Sequence, residues 1–207
     1  MNIVFIGPQG SGKGTQAKVV AEKLKIPHIS TGDLLRSTEG ELKQEIESYT
    51  LKGNLIPDDL MLKILKQRLE KQDCENGFIL DGYPRNINQA KELDKIIKIK
   101  NAFNIEISDE EAISRIANRL NCKNCGSTFN IKTNPPKQEN ICDKCNSSLY
   151  QRKDDTEEAV KTRLKIYREE TAPIIKFYNT VKVNGEQPIE QVTIDIMKAI
   201  KFLTMLS

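Results

Sequence analysis

Apolar residues fall along this chain in two alternating rhythms. Short runs rich in β-branched side chains recur at residues 2–6, 27–30, 78–81, 102–107 and 180–184. Between them, apolar residues return every third or fourth position, as in Leu60, Ile64, Leu65 and Leu69, and again in Ile189, Val192, Ile196, Ile200 and Leu203. The first rhythm predicts strands and the second predicts amphipathic helices. Strands alternating with helices imply βαβ units, hence an α/β fold with a five-stranded parallel sheet flanked by helices. Ligands of such sheets bind beyond the carboxyl ends of the strands.

Two stretches break the alternation. Residues 30–57 are helical and polar, after a short strand. Residues 119–155 hold four cysteines, the pair Pro135-Pro136 and several Asn and Lys. Both read as insertions over a core made of 1–29, 58–118 and 156–207.

The sharpest signal is Gly7-Pro8-Gln9-Gly10-Ser11-Gly12-Lys13-Gly14-Thr15. It follows a predicted strand and precedes helical spacing over 16–24, the context that marks a P-loop. Glycines let backbone N–H groups turn toward a polyphosphate, and the helix N-terminus adds its partial positive charge. Lys13 then reaches the outer phosphates. A plain glycine-rich turn does not account for spacing, strand and helix together. Most P-loop enzymes carry a Ser or Thr after the lysine to ligate magnesium, whereas this chain has Gly14, with Thr15 one place later. Magnesium is therefore expected to sit on phosphates and waters, with the protein touching those waters. The same departure argues against a GTPase-type switch.

Composition narrows the classes further. The 207 residues carry 32 basic and 29 acidic side chains, a net charge of +3. That balance does not advertise a nucleic-acid surface, so basic residues must matter locally. No apolar run approaches the roughly 20 residues of a membrane helix. The apolar N-terminus lacks a basic lead and runs into the glycine loop, which reads as a first strand and not as a signal peptide. The expected location is the cytoplasm, where thiols stay reduced. A single histidine, His28, leaves little room for a mechanism built on a His pair. His28 and Gln9 are read as structural.

Cys122-x2-Cys125 and Cys142-x2-Cys145 are separated by sixteen residues, close to the spacing of four-cysteine zinc sites. Gly126 suits a tight turn after the first pair, and Asn146 tolerates a positive φ after the second. A pair of disulfides is the bland reading, which a reducing compartment disfavours. Four thiolates also hold iron, and the spacing does not choose between the two metals. Four protein ligands leave no open position, so the metal is structural on this reading. Cys74 lies outside the cluster and is expected to be a buried packing residue.

The whole set of motifs resembles the adenylate kinases. The glycine loop with its following Gln16 is theirs, as are Ile29-Ser30-Thr31-Gly32-Asp33-Leu34-Leu35-Arg36 and Gly77-Phe78-Ile79-Leu80-Asp81-Gly82-Tyr83-Pro84-Arg85. So is Gln151-Arg152-Lys153-Asp154-Asp155 followed by Arg163. The match runs nearly end to end, and 119–155 resembles the long lid of bacterial members in its metal-binding form. The resemblance implies a P-loop NTPase-type fold with a helical AMP-binding insertion at 30–57 and a zinc-ribbon-like lid. It implies a monomeric enzyme that moves the terminal phosphoryl group of ATP to AMP, giving two ADP, with Mg2+ on the ATP and structural Zn2+ in the lid. No nucleic acid and no membrane are expected as partners.

Carried over position by position, the resemblance gives Gly10, Ser11, Gly12, Lys13, Gly14 and Thr15 to the ATP phosphates. Thr128 and Phe129 fall where the lid meets ATP, and Gln187 where the chain passes adenine. Thr31, Arg36, Asn54, Leu55, Ile56, Gly82, Tyr83, Pro84, Arg85 and Gln89 fall to AMP. Arg119, Arg152 and Arg163 clamp the phosphates between the nucleotides, and Asp81 holds magnesium through water. One departure is Leu120, where relatives with this lid carry a second Arg. Phosphoryl transfer needs alignment and charge neutralisation rather than covalent help, and the acceptor phosphate is already an anion, so no general base is required. Arginine suits the task because its planar fork binds phosphate bidentately. Arg115, Arg68 and Arg168 have weaker motif support or none; Arg115 is left as a helix-surface or pairing residue. Asp154 and Asp155 are expected either to favour the start of the next helix or to pair with lid arginines. The alternatives are a kinase for another nucleoside monophosphate (UMP or CMP) or, further off, a non-catalytic P-loop or zinc-ribbon binding protein.

Overall fold

A computed structural model of the protein describes residues 1–52 and 54–205. Gly53, inside the 30–57 insertion, and the last two positions of the core range lie outside the described residues.

Five strands form one parallel sheet: β1 (Asn2–Ile6), β2 (His28–Ser30), β3 (Phe78–Asp81), β4 (Asn101–Glu106) and β8 (Val181–Asn184). Their order is β2-β3-β1-β4-β8. The central strands are apolar on both faces because both faces are covered. Val4, Ile6, Ile29, Phe78 and Leu80 enter one apolar layer. Ile3, Phe5, Ile79, Phe103 and Ile105, the alternate positions, enter the other with α1 (Lys13–Leu24) and α9 (Ile189–Met205). No helix among the described residues is long and apolar enough to cross a membrane.

The 30–57 insertion folds as α2 (Thr31–Arg36) and α3 (Glu41–Thr50), and α4 (Asp58–Leu69) returns the chain to the core. Ser30 caps α2 by accepting from the Asp33 N–H at 3.2 Å. After β3, α5 (Ile87–Ile96) is capped by Asn86, whose Oδ1 accepts from the Gln89 N–H at 2.8 Å.

The lid hangs between α6 (Asp109–Ala117) and α7 (Glu157–Ile166). These two helices share a small apolar cluster of Ala112, Ile116, Val160 and Leu164. Carbonyls at the C-terminal end of α6, which have no intrahelical partner, are taken up by the lid. Asn130 Nδ2 donates to the Arg115 carbonyl at 3.0 Å, Gln151 Nε2 to that of Ala117 at 3.3 Å, and the Ile131 N–H to that of Asn118 at 2.9 Å. The lid itself is a three-stranded antiparallel sheet, with β5 (Arg119–Cys122) between β6 (Thr128–Asn130) and β7 (Leu149–Tyr150). The chain leaves α7 through one π-helical turn and reaches α8 (Pro173–Phe177) before β8.

Candidate active site

β1 ends in a loop whose Gly10 and Gly12 have φ near 84° and 89°. At those angles an L side chain is strained, and Gly12 starts α1 from the left-handed region. The helix begins at Lys13, three residues earlier than the apolar spacing predicts, because the last turn of the loop is already its first turn. Lys13 Nζ donates to the carbonyls of Gly7 at 2.6 Å and Pro8 at 2.7 Å. Burial pushes its ammonium down to about 8, with Arg85 and Arg119 adding to the shift and Asp81 opposing it.

Asp81 closes β3 against the same loop. A Cβ on Gly14 would lie 3.2 Å from Asp81 Oδ2. A side chain at position 14 would therefore crowd the carboxylate, which would have to give way slightly. Burial raises the Asp81 pKa, but the contact with His28 and the charges of Lys13 and Arg85 outweigh it and hold the carboxyl below its usual value. His28 Nε2 stands 3.5 Å from Asp81 Oδ2, at the long edge of hydrogen-bond reach. His28 and Gln9, read from sequence as structural, both line the cavity described next.

The loop, the 30–57 insertion and the lid surround one cavity of about 1250 Å³. Lys13, Arg36, Arg85, Arg119, Arg152 and Arg163 all line it. So do the other expected ATP positions, Thr128, Phe129 and Gln187 among them, and the expected AMP positions Thr31, Asn54, Leu55, Ile56, Gly82, Tyr83, Pro84 and Gln89. Phe129 belongs at the same time to the apolar centre of the lid, with Cys122, Cys142 and Leu149.

Neighbouring groups aim the arginines. Arg85 Nε donates to the Gly82 carbonyl at 2.7 Å, and Thr31 Oγ1 donates to the same carbonyl at 2.9 Å. Arg36 pairs with Asp33 at 2.6 Å. Arg119 forms a two-pronged pair with Asp155, whose side chain is fully buried. Arg163 pairs with Asp154 at 2.5 Å and donates to the Thr50 carbonyl at 3.0 Å, joining α7 to the 30–57 insertion. Asp155 thus pairs with an arginine of the 119–155 segment, the second of the two readings, whereas the partner of Asp154 lies on α7 outside it.

The arginines also repel one another. Burial first, then Arg163 and Arg36, hold Arg85 below its ordinary value against the pull of Asp81. Burial, Arg119 and Arg36 push Arg152 down to about 10. Arg152 Nε is buried and, among the described residues, has no hydrogen-bond partner. A polyanion would supply both the missing acceptor and the missing charge.

Arg115 was assigned no site role by sequence reasoning. It pairs with Glu111 at 2.6 Å as a helix residue can, but it also donates to the Gly185 carbonyl at 2.9 Å and lines the cavity beside the glycine loop. The i,i+4 spacing to Glu111 was its only signal. Lys18 was missed altogether: from α1 it donates across to the Gly126 carbonyl of the lid at 2.5 Å.

The cysteine cluster forms two matching knuckles. The Gly126 N–H donates to the Cys122 carbonyl at 3.1 Å, and the Asn146 N–H to the Cys142 carbonyl at 2.9 Å. Gly126 and Asn146 have φ of 64° and 57°, the positive angles that the two turns require. The four Sγ atoms lie within 4.8 Å of one another, and none forms a disulfide. Hydrogen bonds from Ser147 pull the Cys145 thiol down to about 5, while burial pushes that of Cys142 up to about 11. Cys74 is buried, as expected, and receives an N–H from Arg68 at 3.0 Å.

The adenylate kinase family model matches residues 5–183 of this chain. The chain belongs to the adenylate kinase family. The adenylate kinase of Thermosipho melanesiensis is 46% identical over 97% of this chain and 100% of its own length. That of Caldicellulosiruptor bescii is 44% identical over 97% of this chain and 99% of its own, and that of Methanocella arvoryzae is 42% identical over 98% and 100%. Adenylate kinase activity, a phosphotransferase reaction, is the function this membership supports.

Proposed function

We propose that this chain binds ATP on the glycine loop under the lid and AMP against the 30–57 insertion, and transfers the terminal phosphoryl group between them to give two ADP. The observation that carries this reading is the convergence of Lys13, Arg36, Arg85, Arg119, Arg152 and Arg163 on one cavity, with Arg152 left short of an acceptor.

Each residue has a physical task. Backbone N–H groups of 10–15 hold the ATP phosphates, and Lys13 leaves the loop carbonyls for the outer ones. Arg36 and Arg85 fix the acceptor phosphate of AMP, while Arg119, Arg152 and Arg163 neutralise the charge that spreads during transfer. Thr31, Gln89 and the segments 54–56 and 82–84 form the AMP wall. Thr128, Phe129 and Gln187 form the adenosine side of the ATP wall. Closing the lid excludes water that would otherwise take the phosphoryl group.

Asp81 and the phosphates would hold Mg2+ through water, which fits a carboxylate held below its usual pKa beside Gly14. A magnesium ion held there would supply charge neutralisation. Cys122, Cys125, Cys142 and Cys145 would hold a structural Zn2+, which suits four convergent sulfurs. We place the enzyme in the cytoplasm as a monomer, as its likeness to the adenylate kinases implies.

The test is a coupled ADP assay with ATP against AMP, GMP, CMP and UMP, alongside metal analysis. We expect rapid ADP formation with AMP and one zinc per chain. Faster turnover of UMP or CMP would give the chain to that branch of monophosphate kinases instead.

A further inference from the structure

Gln89 is 3% exposed and lines the cavity on its expected AMP side. A carboxamide in such a place can be read by a base in either of two orientations, and the orientation decides which base it accepts. Here both ends are already committed. Oε1 accepts the backbone N–H of Arg85 at 2.7 Å. Nε2 donates to Asp58 Oδ1 at 2.7 Å. Asp58 is itself fixed from the other side by Asn86 Nδ2, which lies 3.1 Å from each of its oxygens. Asn86 in turn caps α5 through the Gln89 N–H.

A carboxylate only accepts, and a backbone N–H only donates. Turning the Gln89 amide over would set its oxygen against the Asp58 oxygen and its NH2 against the Arg85 N–H. Two satisfied hydrogen bonds would become two like-facing pairs. The amide is therefore held with one N–H and one lone pair to spare, in a fixed order. With the ribose and phosphate of AMP held toward Arg85, as in the proposed site, that order is the one that adenine meets, a ring-nitrogen acceptor next to an exocyclic N–H donor. Guanine offers a carbonyl acceptor beside a ring N–H and meets it donor to donor. Cytosine has the same order as adenine, so the device does not act against it.

We infer that Asp58, which does not itself line the cavity, is a specificity-positioning residue: it locks the Gln89 carboxamide in the orientation that accepts adenine and refuses guanine. The inference rests on the reading of this end of the cavity as the AMP site. Of the two locks, the one supplied by the Arg85 backbone survives any side-chain change, so removing Asp58 weakens the discrimination without abolishing it.

The experiment compares the full-length wild type with Asp58→Asn and Asp58→Ser. An amide and a hydroxyl can each donate or accept, so both tolerate a turned Gln89. kcat/KM is measured with saturating ATP for AMP, GMP and CMP, and GMP binding is followed by calorimetry. We expect the AMP-to-GMP ratio to fall by about tenfold in both variants, with tighter GMP binding and an unchanged AMP-to-CMP ratio. An unchanged AMP-to-GMP ratio in folded variants would overturn the lock. A parallel fall in both ratios would overturn it too, since that is what general loosening of α4 produces. If the wild type forms no ADP from AMP, the reading of the site itself is wrong and the lock falls with it. The wild-type arm therefore separates the two failures.

Discussion

Replacing Arg85 with Lys keeps the charge and removes the fork. The structure makes the cost calculable. Arg85 Nε is committed to the Gly82 carbonyl at 2.7 Å, which leaves the outer two nitrogens as a preset pair of donors. A lysine at 85 has one nitrogen for both tasks. It either keeps the Gly82 carbonyl and meets phosphate with what remains, or abandons the carbonyl. Either way one charge-assisted hydrogen bond to the transition state is lost, worth about 1.5–3 kcal/mol, or roughly 10- to 100-fold in kcat. Stability is nearly untouched, because the backbone at 85 is held by groups the substitution leaves alone. Its N–H is taken by Gln89 Oε1 and its carbonyl by Thr171 Oγ1, each at 2.7 Å. Losing the Gly82 bond costs about 1 kcal/mol, which lowers Tm by about 2–4 °C at this chain length. A coupled assay at saturating ATP and AMP reads the first quantity and a thermal melt reads the second. A kcat within twofold of wild type would refute the role given to the fork. A fall of more than about 10 °C in Tm would show instead that Arg85 holds the fold.

Three further outcomes follow from the same geometry. With Lys13 held at about 8 against an ordinary 10.5, free enzyme loses that charge as pH rises through 8. kcat/KM for ATP should fall above pH 8, while kcat stays flat to higher pH because bound phosphates favour the ammonium; coincident limbs would contradict this. Lys18→Met removes the Lys18 to Gly126 bond across the cleft, so KM for ATP should rise several-fold at unchanged Tm and the lid should open faster by distance labelling, and identical opening rates would dismiss the contact. Cys142→Ser with Cys145→Ser should strip the metal and lower Tm, yet leave kcat well below Tm within about tenfold, roughly 1.4 kcal/mol. A folded, metal-free variant without activity would make the metal a participant in catalysis.

The central strands β1 and β3 were legible because they are buried on both faces and read as apolar runs, and the reading of all five strands was correct to within a residue at either end. α6 left little trace, because it is short and fully buries only Ala112 and Ile116. The lid sheet left less still, since β7 is two residues long and the knuckles are held by backbone hydrogen bonds rather than by apolar spacing. The expected site arginines, which line the cavity, were picked out by their motifs. Asp58, Lys18 and Arg115 were not, because each acts through a partner distant in sequence: Gln89, Gly126 and Gly185 respectively. A carboxylate opening a helix reads simply as a dipole partner until the fold brings Gln89 against it.

The seat of the lid on α6 and α7 bears on how such an enzyme changes over generations. Residues 119–155 hang from α6 and α7, which four apolar side chains hold together, and they reach the core through a few helix-end carbonyls, the Lys18 to Gly126 bond and the Asp154 to Arg163 pair, with the Arg119 to Asp155 pair closing the root. None of these belongs to the parallel sheet. A chimera that keeps the patch and the pair could accept a foreign lid without repacking the centre of the molecule. The lid and the core are then separately heritable. Heat tolerance of the lid can be raised or lowered in the knuckles, where the four cysteines sit, while the stability of the sheet drifts on its own course. The arginines at the border, answering to both halves, are the positions where the two histories must agree.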